Sequence, residues 1–274
     1  MQRGLALLFG LLVAGTVTAQ SQAQDLTSAQ TAAMLSADIV ILGEIHDNGA
    51  HHAGQARLMA KIAPKAVVFE MLTPQMAGVV NISGRSDMRA LDDAIGWGAA
   101  GWPDIALYQP VFEGLGDATV IGAAAPRDTV RAAFAQGAAA VFGADAARFG
   151  LANPLPAAQQ EARRVLQFEA HCQAMPLEMM DGMIEAQRLR DAQFSAAALR
   201  ALADHGAPVV VITGNGHARR DWAMPFVIAQ AAPDVATYSI GFVEAPSDAD
   251  DPRFDATIIT KAAPRDDPCA AFSK

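Results

Sequence analysis

Three short apolar runs, each ending in a knot of polar residues, organise the chain. Asp38 to Leu42 is almost continuously apolar and β-branched, and Gly43 closes it before Glu44, His46, Asp47 and Asn48. Lys65 to Phe69 ends at Glu70, and Pro208 to Thr213 ends in Gly214, Asn215, Gly216 and His217. Runs of this length without polar alternation suit strands buried on both faces of a parallel sheet. Asn48 is placed to cap a helix from Ala50 to Ile62, which stops before Pro64. A strand emptying into polar residues and then a helix is the usual address of a site in an open α/β sheet. Further strands are predicted over Ala118 to Ala123, Ala236 to Val243 with Tyr238, and Ala256 to Lys261.

Between these runs the pattern changes. Asp25 to Ser36 predicts a short amphipathic helix. Thr73 to Glu113 is punctuated by glycine and proline and reads as irregular, with Trp97, Trp102, Tyr108 and Phe112 gathered in it. Trp97 and Trp102 suit core packing. From Pro126 and Arg127 to about His205 the chain is helical in composition, broken at Asn153 to Pro156 and at Met175-Pro176, so residues 127–200 form a helical insertion. The long helix Leu177 to Asp204 places Met180, Ile184, Gln187, Asp191, Ala198 and Leu202 within a sector of roughly 60°, with Arg190 on its margin. Gln187 and Asp191 interrupt that apolar stripe and need partners, because a buried amide or carboxylate is costly alone. Either they form a structural network, with Asp191 on an arginine, or they orient His46, His217 or a ligand from behind. The fold class is α/β, a largely parallel sheet flanked by helices with a smaller helical cap.

Composition narrows the function. The chain has 274 residues, 52% hydrophobic and 18% charged, which suits a large folded core, and its net charge of −9 lacks the basic face a nucleic-acid binder needs. Arg3 precedes an apolar stretch, Leu5 to Val17, followed by small residues, which reads as a signal peptide spanning residues 1–19 with alternative cleavage after Ala23. No other segment is long and apolar enough to span a membrane. The mature chain, residues 25–274 at least, is expected to be secreted into the periplasm. Cys172 and Cys269 then form a disulfide in an oxidising compartment, the competing role being Cys172 as a nucleophile beside His171.

Gly43-x-x-His46 and Gly214-x-x-His217 are weak motifs singly. Two copies at matching strand ends, with Glu44 and Glu70 beside them, point to one functional cluster if the strands are neighbours. His51 and His52 fall in the first turn of the helix after Asn48; His51 suits solvent or a local hydrogen bond, and His52 stays open. Arg219 and Arg220 follow His217 and offer anion binding or a solvated face.

Read together and in order, L-G-E-I-H-D-N with H-H, F-E-M at Glu70, W-G-A-A-G-W-P-D-I-A-L-Y-Q-P, H-C-Q-A-M-P, A-Q-R-L-R-D-A, G-N-G-H and D-P-C resemble the ChaN-like haem-binding uptake family of the Tiki/ChaN superfamily. The resemblance implies a secreted protein of haem or iron acquisition, with haem iron as cofactor and a possible homodimer. Tyr108 matches best the tyrosine through which members of that family bind haem, and a phenolate suits ferric iron. His46 and His217 stand as further ligands or hydrogen-bond partners, Arg190 as a contact for a propionate, and Gln187, Asp191 and Asn215 as supporting residues. The superfamily also implies an alternative, a metal-dependent hydrolase of the Tiki type. There His46, Glu70 and His217 would hold a divalent transition metal and Glu44 would be the base. This chain has no lipobox-type cysteine, and Ala124 and Ala125 stand where related chains are expected to be polar.

Overall fold

The computed structural model describes residues 25–270; the leader, at 1–19 or 1–23, and the last four residues lie outside them. A short helix, α1 (Ser28–Leu35), leads into β1 (Ile39–Glu44). Helix α2 (Gly49–Ile62) follows, and Asn48 Oδ1 accepts from the Ala50 amide at 2.9 Å, as the N-cap reading expects. Strand β2 (Ala66–Phe69) comes next. The stretch expected to be irregular is instead largely helical: α3 (Pro74–Ile82), α4 (Met88–Ile95), two 3₁₀ turns and α5 (Gln109–Glu113). Several of its punctuating residues lie at helix ends. Thr73 and Asp87 accept backbone amides at the N-termini, Pro74 sits at the first helical position, and Gly96 closes α4 at φ 67°.

Strand β3 (Thr119–Gly122) then leads into the insertion, made of α6 (Arg127–Gln136), α7 (Ala138–Phe142), α8 (Ala157–Ala170) and α9 (Met180–His205). The chain returns through β4 (Val209–Gly214), α10 (Asn215–Ala218), α11 (Met224–Ala231), β5 (Thr237–Glu244) and β6 (Ala256–Thr260). These six strands pair in parallel throughout, in the order β3-β2-β4-β1-β5-β6.

The unbroken apolar runs are explained by cover on both sheet faces. Val40, Leu42, Val67, Phe69, Val210 and Ile212 pack with Leu58, Trp97, Tyr108 and Phe112 on one side. Ile39, Ile41, Ala66, Val68, Val209 and Val211 pack with Phe194, Ala198, Met224 and Ile228 on the other. The insertion has a small core of its own, including Ala133, Phe149, Leu151, Leu189 and Ala192, and α9 belongs to both. The outer edge of β3 is partly covered: Asn81 accepts from the Val120 amide and donates to its carbonyl, both at 2.8 Å, as a neighbouring strand would.

Gly43 does not end β1, which continues to Glu44 and pairs it with Gly214. A side chain at Gly43 would run into Asn215 and Ala218, so the glycine serves close packing at the strand's end. Among the described residues no helix is long and apolar enough to cross a membrane.

Cys172 and Cys269 are joined, which removes the nucleophile reading of Cys172. The bond ties the end of α8 to the C-terminal tail across 97 residues of sequence. The same tail is held by Arg265, which donates to Asp47 and Glu244 at 2.6–2.7 Å. Closing so long a loop predicts that Cys172→Ser with Cys269→Ser loses about 4–5 kcal/mol of stability in the chain-entropy model. Urea unfolding of the double variant measures this, and an unchanged midpoint would show that the bond contributes nothing to stability.

Candidate functional site

Parallel register brings the polar strand ends to one rim. Glu44 is level with Gly214, and the Glu70 amide continues the β2 ladder by donating to Ile212 O at 3.1 Å, so Glu44, Glu70 and Gly214 share the carboxyl edge of three adjacent strands. His46 lies two residues beyond Glu44, and His217 lies in α10, directly after β4. Gly214 leaves room for His46, since a Cβ there would come within 3.0 Å of its Nε2. The glycine of one Gly-x-x-His pair thus makes room for the histidine of the other.

Two networks meet at this rim. In the first, Glu44 is buried, and its Oε1 faces His46 Nδ1 at 2.7 Å and accepts from the Tyr108 hydroxyl. Its Oε2 accepts from Gln55 Nε2 at 2.7 Å and has His52 Nε2 at 3.6 Å. His52 is fixed by stacking on Tyr108, centroids 3.8 Å apart, and by Nδ1 at 3.0 Å from Leu107 O. In the second, Glu70 Oε2 accepts from Thr213 Oγ1 at 2.6 Å and from the Gly214 amide at 2.7 Å. His46 Nε2 lies 3.9 Å from Glu70 Oε2 and His217 Nε2 lies 3.6 Å from its Oε1, while His217 Nδ1 lies 2.7 Å from Asp191 Oδ1. Each imidazole therefore has one carboxylate behind it and Glu70 in front.

The charges follow from this arrangement. Burial alone would lower His46, but the Glu44 hydrogen bond and the charges of Glu70, Glu44 and Asp47 outweigh it and hold its pKa at about 9. His217 is likewise pulled down by burial and raised on balance by Glu70 and Asp191. Glu70 is pushed up by burial and brought to about 2 by His217, His46, Thr213 and Gly214. Asp191 is raised, burial being the largest cause. Tyr108 is driven far above the usual phenol range by burial and by the Glu44 charge.

Two cavities adjoin along this edge, of about 420 and 440 Å³. The first lies between the rim and the α8–α9 hairpin, with His46, His217, Gln187, Asp191 and Asn215 among its lining; the second runs past Trp102, Ala124 and Ala125 toward Arg127. Glu70 and Arg190 line both, so they form one trough.

The structure brings Glu44, His46, Glu70, His217, Asp191, Asn215, Gln187 and Arg190 to one cavity. Asp191 meets His217 directly rather than an arginine. Tyr108 is fully buried behind His46 and lines neither cavity. Trp97 is a core residue, donating to Pro103 O at 2.6 Å, whereas Trp102 lies half-buried beside His46 with ring centroids 5.0 Å apart. His51 is buried and accepts from the Ile45 amide at 3.0 Å, so it does not face solvent. Arg219 is paired to Asp221 and Arg220 to Asp255, which occupies both with carboxylates.

The metal reading gains no support from this geometry. Among the described residues no three His, Cys, Asp or Glu side chains are disposed to hold a metal ion. Glu70 Oε2 is taken by Thr213 and Gly214, and Glu44, proposed as base, is buried with both oxygens engaged. Sequence reasoning missed Gln55, Thr213, Arg163 and Trp222. Gln55 was legible in principle, three residues after His52 on the helix face that meets Glu44; nothing local marks the others.

A family model described as haem-binding uptake, Tiki superfamily, ChaN matches residues 30–228. The fold is similar to that of ChaN of Campylobacter jejuni, solved in a study of its cofacial haem binding, with TM-score 0.60 and 16% identity over 85% of this chain and 91% of that one. The type III effector HopBA1 is more distant, with TM-score 0.47 and 13% identity over 85% of this chain and 92% of that one. None of the curated proteins compared matches the chain. The chain belongs to the ChaN-like haem-binding uptake family of the Tiki superfamily.

Proposed function

We propose that the chain is an exported haem-binding protein of iron acquisition that takes haem into the trough, with His46 rather than Tyr108 facing the iron. The observation that carries the reading is the imidazole of His46, 27% exposed, set at the edge of a cavity with Leu166, Ile184 and Trp222 among its walls and with Trp102 against its other side. Leu166, Ile184, Trp222 and Trp102 would pack against a flat macrocycle, and His46, the more exposed of the two imidazoles lining the cavity, would offer its metal a nitrogen. Export is supported by the apolar leader and by the Cys172–Cys269 bond.

Bound haem iron supplies a ferric Lewis acid, and the chain's own residues do the rest. Glu44 holds the Nδ1 proton of His46 and aims its Nε2 at the trough, which must shed its proton to ligate a metal. Tyr108 steadies Glu44 from behind, and its raised pKa keeps it a phenol that donates a hydrogen bond. Because its hydroxyl is enclosed between Glu44 and His46, Tyr108 reaches iron only if His46 swings away. The other tyrosine, Tyr238, is buried in β5.

Absorption titration of the mature protein with ferric haem tests this assignment. His46→Ala is expected to weaken binding at least ten-fold and move the Soret band, while Tyr108→Phe stays within a few-fold of wild type. The reverse pattern would make tyrosine the ligand, and a wild-type protein that takes up no haem would end the reading.

A further inference from the structure

Arg163 is an anomaly in charge compensation. It is 7% exposed, on the face of α8 that walls the first cavity, and it has no carboxylate partner among the described residues. The other two arginines buried as deeply are paired, Arg188 with Glu185 at 2.7 Å and Arg219 with Asp221 at 2.6 Å. Arg163 has only the Trp222 carbonyl, 3.0 Å from its Nη2, and the Trp222 ring, 5.0 Å from its guanidinium carbon; its Nε is buried with no acceptor. Asp191, whose charge acts on it, is already hydrogen-bonded to His217. Burial, the largest influence, lowers Arg163 to about 10, so it is still a cation at neutral pH. A buried cation left in this state is expensive, and an anion in the cavity would relieve the cost.

Arg190 supplies the second half. It sits on α9 where the two cavities join, half-buried, with no hydrogen-bond or ion-pair partner among the described residues. Gln187, one turn away on the same cavity wall, has none either. The α8–α9 wall thus presents uncommitted N–H donors, and the opposite rim presents carboxylates, Glu44 and Glu70, already satisfied by imidazoles, hydroxyls and amides.

We infer that Arg163 and Arg190 form a carboxylate-receiving wall that fixes the orientation of the ligand, its acid groups against α8 and α9 and its centre toward His46. This rests on the haem reading and deepens it, since haem carries two propionates on one edge and guanidinium groups bind carboxylates through paired N–H donors.

The test uses metal-free protoporphyrin IX and its dimethyl ester, titrated by fluorescence into the full mature chain, so that iron ligation plays no part. Wild type is expected to bind the diacid at least ten-fold more tightly than the diester. Arg190→Gln, at a side chain that holds nothing else in place, abolishes that preference. Arg163→Lys, which keeps the charge and loses the fork, reduces it several-fold, with the thermal midpoint confirming that each variant is folded. Equal affinity for the two porphyrins in wild type, or a preference that survives Arg190→Gln, overturns the wall. A diacid preference without an imidazole-ligated spectrum on the ferric form overturns the His46 assignment and leaves the wall standing. The opposite result overturns the wall alone, and so does no binding of either porphyrin, since the wall should hold the diacid without iron.

Discussion

A carboxylate held between two imidazoles is the interaction on which the site depends. Glu70 faces His46 on one oxygen and His217 on the other, and each histidine is backed by a second acid, Glu44 or Asp191. Three acids collected at one rim would repel one another, and each would pay for desolvation, so the two imidazolium charges make the cluster tolerable. The parallel sheet makes the cluster possible, because β1, β2 and β4 are neighbours that end at the same level.

This compensation also separates roles that the sequence presents as alike. His46 and His217 share a motif, yet His217 is buried against Phe194 and tied to Asp191, while His46 keeps an open side toward Trp102 and the cavity. His51 and His52 are adjacent, yet one braces the Ile45 amide and the other lies behind Glu44. His46 and His217 both have a tautomer partner and reach the trough, but His46 is the more open, its side chain 27% exposed against 10% for His217. On this account the remaining histidines of the region are supports.

Much of this was legible in the sequence. Strand ends gave Glu44, His46, Glu70 and His217, because a fully buried strand must be continuously apolar and its first polar residues mark the rim. Gln187 and Asp191 were visible as polar interruptions of the α9 stripe. The helices between Thr73 and Glu113 were hidden because their caps are the same glycines, prolines and small polar residues that mark loops. Tyr108 stood as a ligand through the family resemblance; its burial depends on the stack with His52 and on Trp97, contacts no local pattern encodes. Arg163 was invisible for a similar reason: what distinguishes it is a missing carboxylate partner in space.

The compensation account is tested most directly by following the imidazole nitrogens of His46 and His217 by NMR in the ligand-free protein from pH 5 to 10. A histidine whose folded pKa is raised keeps its proton above the ordinary value near 6.5, and the stability that proton confers is lost only as pH rises through the folded pKa. His46 should stay doubly protonated through pH 8 and titrate near 9, with His217 also above its ordinary value. Titration of both at or below 6.5 would mean that Glu70 is not held between two cations, and the account of the rim would fail.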